Sequence, residues 1–168
     1  MLLARGETVS VAESSTGGKA AAALVEVAGA SKFFGDGVIC YSKASKTRVL
    51  GLTEKQQAAA RSATEEHAVM LANAVRKVNG TDWCVGETGV AGPGPSPRGV
   101  GAGTGCVAVV GPNGFTVSAT VQAAAAAGVV DGSNTDTGSG GQIVNVRALN
   151  MDCFASSALG LLADALEQ

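Results

Sequence analysis

Three short stretches of this chain combine residue types that could do chemistry. The first is Glu13-Ser14-Ser15-Thr16-Gly17-Gly18, three hydroxyls and two glycines placed between a strand-like run and a helix-like run. Backbone N–H groups at a helix N-terminus are unpaired and sit at the positive end of the helix dipole, so such a turn can receive an anion. Glycines would let a phosphate approach the backbone. The same residues also suit an ordinary helix cap with a tight turn, and both readings stay open. The spacing of a Walker A loop is absent. The second stretch, Thr88-Gly89-Val90-Ala91-Gly92-Pro93-Gly94-Pro95, follows another strand-like run and would present the Thr88 hydroxyl at its end. A long ordered loop of this kind is more often functional than a mere connector. The third is Ser31, Tyr41 and Lys46, whose spacing by itself proves no proximity. In most proteins Lys46 would be a solvated helix lysine and Ser31 a turn residue.

These clusters need elements to position them. Residues 8–12 (TVSVA) alternate as a strand, 19–27 (KAAAALVEV) read as a helix of strong formers, and Gly29 stands where a helix stop belongs. A second strand is expected at 37–41 and a helix at 42–50, with Gly51 as its stop. Helices at 53–60 and 64–78 each open on a Thr suited to cap them, with acids in the first turn. A third strand is expected at 82–88, then a Gly/Pro loop at 89–103, then strands at 104–110 and 115–121 joined by a GPNG hairpin turn. The near-repeat GVGAGTG opens a strand and does not fit G-x-G-x-x-G, which rejects a dinucleotide fingerprint. Residues 123–141 are poor in packing side chains and read as a low-complexity insertion. A last helix is expected at 143–166. Strands alternating with helices, plus one hairpin, predict an α/β fold, a three-layer α/β/α sandwich around a mixed sheet, as a single domain over 1–168. In such folds ligands sit at strand ends, where the first two clusters fall.

Composition narrows the chemistry. The chain has 168 residues, 46% hydrophobic but only 4% aromatic, so Ala, Val and Leu must fill the core. A net charge of −2 with scattered Lys and Arg gives no footprint for a nucleic-acid backbone. No apolar run approaches the length that crosses a bilayer, and MLLARGETVS has no signal-like segment, so a soluble cytoplasmic protein is expected. Cys40, Cys84, Cys106 and Cys153 lie far apart with no C-x-x-C pair; three fall in apolar strand-like runs and read as core thiols in a reducing compartment. His67 is the only histidine. That excludes sites built on several histidines, and with them most zinc centres. Its setting, TEEHAVMLANAV, reads as helix surface, so a hydrolase here needs another base.

VAESSTGG, then GDGVICYSKASKTRVLGL, then TGVAGPGPSP and a later GT resemble, in this order, the CinA C-terminal domain family. Its members typically show AESxTGG, a GSS turn, a G-x-x-x-YSNxxK stretch and TGIAGPxGG. The resemblance runs from the N-terminus to about Gly105. It implies deamidation of nicotinamide mononucleotide by a Ser/Lys mechanism in pyridine-nucleotide salvage, on an α/β/α fold, with no metal and no other cofactor. It also implies that longer relatives carry a further N-terminal domain, for which 168 residues leave no room. Position by position, Ser31 matches the second serine of GSS, Tyr41 the tyrosine of YSN and Lys46 the lysine five positions later. These are the expected catalytic residues, with Ser31 as nucleophile, Lys46 as base, Tyr41 as relay or support, and Ser14 as the alternative nucleophile. Ser14, Thr16, Gly17, Gly18, Thr88, Gly89 and Arg147 are the expected substrate-binding residues.

The departures bear on the substrate. Where the family shows G-D-R-x-x-V-R, this chain reads Gly141-Gln142-Ile143-Val144-Asn145-Val146-Arg147, keeping the second arginine and lacking the first. Ala30 replaces the first serine of GSS, Lys43 the asparagine of YSN, and Arg98 stands in the loop. The expected partner is a small nucleotide, with no nucleic acid and no membrane; homo-oligomerisation is left open. The alternative is a nucleotide- or phosphate-binding module of the same fold that has lost turnover.

Overall fold

The computed structural model of the protein describes residues 1–123 and 145–168. Five strands form one sheet in the order β2-β1-β3-β4-β5: β1 (Val9–Glu13), β2 (Phe34–Ile39), β3 (Trp83–Val90), β4 (Thr104–Val110) and β5 (Thr116–Gln122). β1 runs parallel to both neighbours, whereas β3–β4 and β4–β5 are antiparallel, so the sheet is mixed. Every residue of β1 is buried, as its central place requires.

Alternation along the strands divides the core. Val9, Val11, Val85, Val107 and Val109 face one side. There they meet Leu24 of α2 (Lys19–Val25) and Ala158, Leu162 and Ala165 of α6 (Val146–Glu167). Ala12, Cys84 and Val110 face the other side, against Leu50 of α3 (Lys43–Leu50) and Leu71, Ala72 and Val75 of α5 (Glu65–Asn79). This is the expected sandwich. Cys40, Cys84 and Cys106 are buried free thiols, also as expected.

Local chemistry sets the helix ends. Thr53 accepts a hydrogen bond from the Gln56 amide to open α4 (Glu54–Ala59), and Thr64 accepts one from the His67 amide to open α5. Ser42 and Ser45 form a reciprocal box that starts α3 three residues after β2. Gly86 lets α5 lie close on β3: a Cβ there would overlap the Ala68 carbonyl oxygen.

Several boundaries differ from the sequence reading. β2 spans Phe34–Ile39 rather than 37–41, because Gly35 and Gly37 interrupt the alternation that marks a strand. The helix expected at 19–27 stops at Val25, and Gly29 (φ 85°) instead leads into a 3-10 turn over Ala30–Lys32. A short helix, α1 (Leu2–Arg5), has too few residues to show a period. The GPNG turn is present, with Asn113 at φ 55°. α6 begins at Val146, where Asn145 caps it; positions 143 and 144, and the insertion from 124 on, lie outside the described residues. His67 is only 2% exposed, not on the helix surface. It lies one turn before Leu71 on the face of α5 that meets the sheet.

Candidate active site

The C-terminal ends of β1 and β3 lie side by side, and the segments leaving them face each other across a cleft of about 220 Å³. Ser14 and Ser15 line it from the turn after β1, and Tyr41 from the segment after β2. Gly89 to Gly92, Gly94 and Ser96 line it from the loop after β3, and Arg147 from the first turn of α6. The Arg147 guanidinium donates to the Gly92 carbonyl at 2.6 Å and reaches the Tyr41 hydroxyl at 3.4 Å. It is the only cationic side chain lining the cleft among the described residues. Gly89 is required by close approach, since a Cβ would stand 2.8 Å from the Thr104 carbonyl and 2.9 Å from the Ser15 hydroxyl.

Beneath the cleft lie two fully buried carboxylates, Glu13 and Glu87. Glu13 accepts from the amides of Gly18, Ala20 and Ala21 at 2.8–3.2 Å and from the Thr16 hydroxyl at 2.6 Å. Glu87 accepts from the amides of Ser14 and Thr16, both at 3.0 Å, and contacts the hydroxyls of Ser15 and Thr16. The amides of Ser14, Thr16, Gly18, Ala20 and Ala21 are therefore occupied by the chain's own acids. The Glu13 carboxylate takes the Ala20 and Ala21 amides at the start of α2, just past its N-cap Gly18. Thr16 is fully buried and serves this network, and neither Thr16 nor Gly17 nor Gly18 lines the cleft.

Lys46 sits in the second turn of α3 and is only 3% exposed. Burial pushes its pKa below the ordinary lysine value, against the opposing pull of Cys40 and Glu87; the nearby Lys43 adds to the lowering. Burial pushes the Cys40 thiol up to about 11. Lys46 is thus set apart from a solvated helix lysine.

Ser31 is elsewhere. It is exposed in the 3-10 turn that precedes β2, whereas Tyr41 and Lys46 follow that strand. Five strand steps at about 3.3 Å each separate the two ends by roughly 17 Å. Because β2 is parallel to β1, Ser31 lies at the end of the sheet opposite Ser14, and the chain does not bring Ser31 to its own Lys46. Thr88 also turns away: its hydroxyl accepts from the Ala63 amide at 3.2 Å, on the α5 side of the sheet. The structure therefore gathers Ser14, Tyr41, Gly89 and Arg147 at the cleft, with Lys46 buried at the same end of the sheet.

Sequence reasoning missed Glu87, and it placed Glu13 and Ser15 in the first cluster without a role of their own. A carboxylate inside the apolar run WCVGET was the available signal for Glu87, because an acid is rarely buried without partners. Among the described residues no group of three His, Cys, Asp or Glu side chains gathers to hold a metal ion. None of their helices is long and apolar enough to cross a membrane.

Comparison with known proteins agrees with this architecture. The chain is 43% identical over 113 residues to a CinA-like protein of Anaeromyxobacter sp. (strain K), covering 67% of this chain and 28% of that protein. It is 40% identical over 118 residues to a CinA-like protein of Prochlorococcus marinus (strain MIT 9313), covering 70% and 28%. The matched region thus spans little more than a quarter of these relatives. Among solved structures, the competence damage-inducible protein A of Klebsiella pneumoniae superposes with a TM-score of 0.79 at 24% identity, covering 99% of this chain and 91% of that one. The corresponding score for a CinA superfamily protein of Escherichia coli is 0.72, also at 24% identity, covering 95% and 83%. At that identity the likeness establishes the fold. The family model for the CinA C-terminal domain matches residues 1–138, so the chain belongs to the CinA C-terminal domain family.

Proposed function

We propose that this chain hydrolyses the amide of nicotinamide mononucleotide, giving nicotinate mononucleotide and ammonia, with Ser14 as nucleophile and Lys46 as base. The observation that carries the reading is a buried lysine with a lowered pKa at the same sheet end as a cleft serine. The Ser14 hydroxyl has no hydrogen-bond partner among the described residues, whereas that of Ser15 is held by Glu87. A neutral Lys46 amine takes the Ser14 proton as the oxygen attacks the amide carbon. The tetrahedral intermediate then collapses, its C–N bond breaks, and the lysine returns the proton to the departing nitrogen. Water, activated by the same amine, hydrolyses the ester and releases the carboxylate. Arg147 offers the cleft's positive charge to the substrate phosphate, and Tyr41, in reach of Arg147, holds it in place.

A nucleotide-binding module without turnover is the second reading. One observation favours it: no hydrogen bond joins Lys46 to a serine hydroxyl among the described residues. Ammonia release separates the two. Purified protein is expected to release one ammonia per nicotinate mononucleotide formed without added metal. Binding of the mononucleotide with no ammonia at high enzyme concentration would establish the module instead.

A further inference from the structure

The hydroxyl of Thr16 stands between two carboxylates, 2.6 Å from Glu13 Oε2 and 2.8 Å from Glu87 Oε2. Two oxygen-to-oxygen contacts of that length need two protons, and a threonine hydroxyl brings one. With both acids ionised, one contact would set lone pair against lone pair in a buried site, beside a second like charge. The missing proton therefore belongs to a carboxyl group. Glu13 accepts from three backbone amides and stands at the start of α2, a place that favours negative charge. Glu87 has two amides, is 1% exposed, and gets its fourth contact from the Ser15 hydroxyl.

We propose that Glu87 is a positioning residue of the candidate site that works as a neutral carboxylic acid, holding the Ser14–Thr16 turn without placing a second negative charge near Lys46. Burial acts in the same direction, raising the Glu87 pKa above the ordinary carboxyl value. The consequence falls on the base. An ionised Glu87 would favour the Lys46 ammonium, and a neutral one leaves Lys46 free to lose its proton at lower pH. The titratable and charged groups on the elements round Glu87 include Glu13 on β1, Cys40 after β2, and Cys84 and Cys106 on β3 and β4. The helices add Lys19 on α2, Lys43 and Lys46 on α3, Glu65, Glu66 and His67 on α5, and Arg147 and Asp152 on α6. Among these, Lys46 is the cation whose field includes Glu87, and Lys19 is engaged by Asp152 at 2.5 Å.

The inference rests on the amidase reading for its catalytic consequence, and one of its two tests is independent of turnover. Carbon-13 carboxyl NMR of the whole protein, with the Glu87 signal assigned by its loss in Glu87→Gln, is expected to show that carboxyl still protonated at neutral pH, beyond the ordinary range of ~4.3. A Glu87 carboxyl already ionised at neutral pH overturns the proposal. The second test compares pH profiles of turnover. Gln replaces a neutral acid without changing local charge, so the rising limb set by Lys46 is expected at the same pH in Glu87→Gln and the parent. A limb displaced to lower pH would show that a charge had been removed, and would overturn the proposal. Glu87→Ala leaves two buried amides unpaired and is expected to lose about a hundredfold in turnover, which Glu87→Gln recovers. If the parent protein shows no turnover, the amidase reading falls, and the carboxyl titration still decides the state of Glu87.

Discussion

Ser14 and Ser15 are adjacent in the chain, yet the fold uses their hydroxyls differently. Glu87 engages the Ser15 hydroxyl from below, while the Ser14 side chain borders the cleft with only its amide committed to Glu87. Ser14→Ala is therefore expected to lower turnover by at least about a thousandfold while mononucleotide binding persists, since it removes the nucleophile and little else. Ser31→Ala, an exposed change at the far end of β2, is expected to leave both parameters near the parent. Steady-state kinetics on the two variants checks this, and the reverse pattern would require Ser31 to act from outside its own chain. For Lys46 the question is protonation. A free lysine titrates near ~10.4 and is charged at neutral pH, so only the lowered value produced by burial lets it accept a proton. Turnover should rise with pH along a limb lying below the free-lysine value. Lys46→Arg keeps the charge but supplies no neutral base, and it should damage turnover nearly as much as Lys46→Ala. Substantial turnover in the arginine variant at saturating substrate would show that Lys46 acts only by its charge.

Among the elements, α5 packs on β3 at backbone-to-backbone range. Gly86→Ala would drive a methyl into the Ala68 carbonyl, with the Ala72 amide nitrogen 2.7 Å away, and neither backbone can yield cheaply. A loss of about 1–3 kcal/mol or more is expected, read as a lowered Tm. Gly160 offers the contrast. It is exposed in α6, and an added methyl would meet nothing within 4 Å, so Gly160→Ala should raise stability by about 0.5–1 kcal/mol. The same elements show what could be read in advance. Thr53 and Thr64 were legible as caps because capping is local chemistry, written within four residues. β1 was legible from its alternation, and β3 from the apolar Trp83–Val85 that opens it. The start of β2 was not, because Gly35 and Gly37 carry no side chain to alternate. The site was legible where it is local, as in the cleft position of Ser14 and Gly89. It was not legible where it depends on direction: the parallel pairing of β2 with β1 puts Lys46 at the Ser14 end of the sheet and Ser31 at the other, and no spacing encodes which end is which. Glu87 is the long-range case, reaching back 71 to 73 residues to hold the Ser14–Thr16 turn.

At the scale of the whole molecule, the buried ionisable groups tie stability to pH in opposite senses. Glu87 has a raised pKa, so its contribution is present below the ordinary carboxyl value and is lost as pH rises through its folded value. His67 has a lowered pKa, chiefly through burial, with the Lys46 charge adding to it and the Ala60 hydrogen bond opposing it. Its Nδ1 lies 2.8 Å from the Ala60 carbonyl, and its Nε2 is buried with no partner among the described residues. Nδ1 therefore carries the proton that bonds Ala60, and a second proton on Nε2 would put a charge in the core. The sign follows: an unfolded histidine gains its proton near ~6.5 while folded His67 resists, so stability is full above that value and falls as pH drops towards the folded one. The total curve mixes this loss with the opposite trend from Glu87, so the informative quantity is a difference. The Tm of His67→Gln minus that of the parent, measured from neutral pH downward, should be constant above about 6.5 and then climb as the parent loses stability and the variant does not. Gln keeps an amide N–H for the Ala60 carbonyl, which separates the lost charge penalty from the lost hydrogen bond. A difference that stays level through the acid range would mean that His67 takes up its second proton in the folded protein as readily as in the unfolded chain.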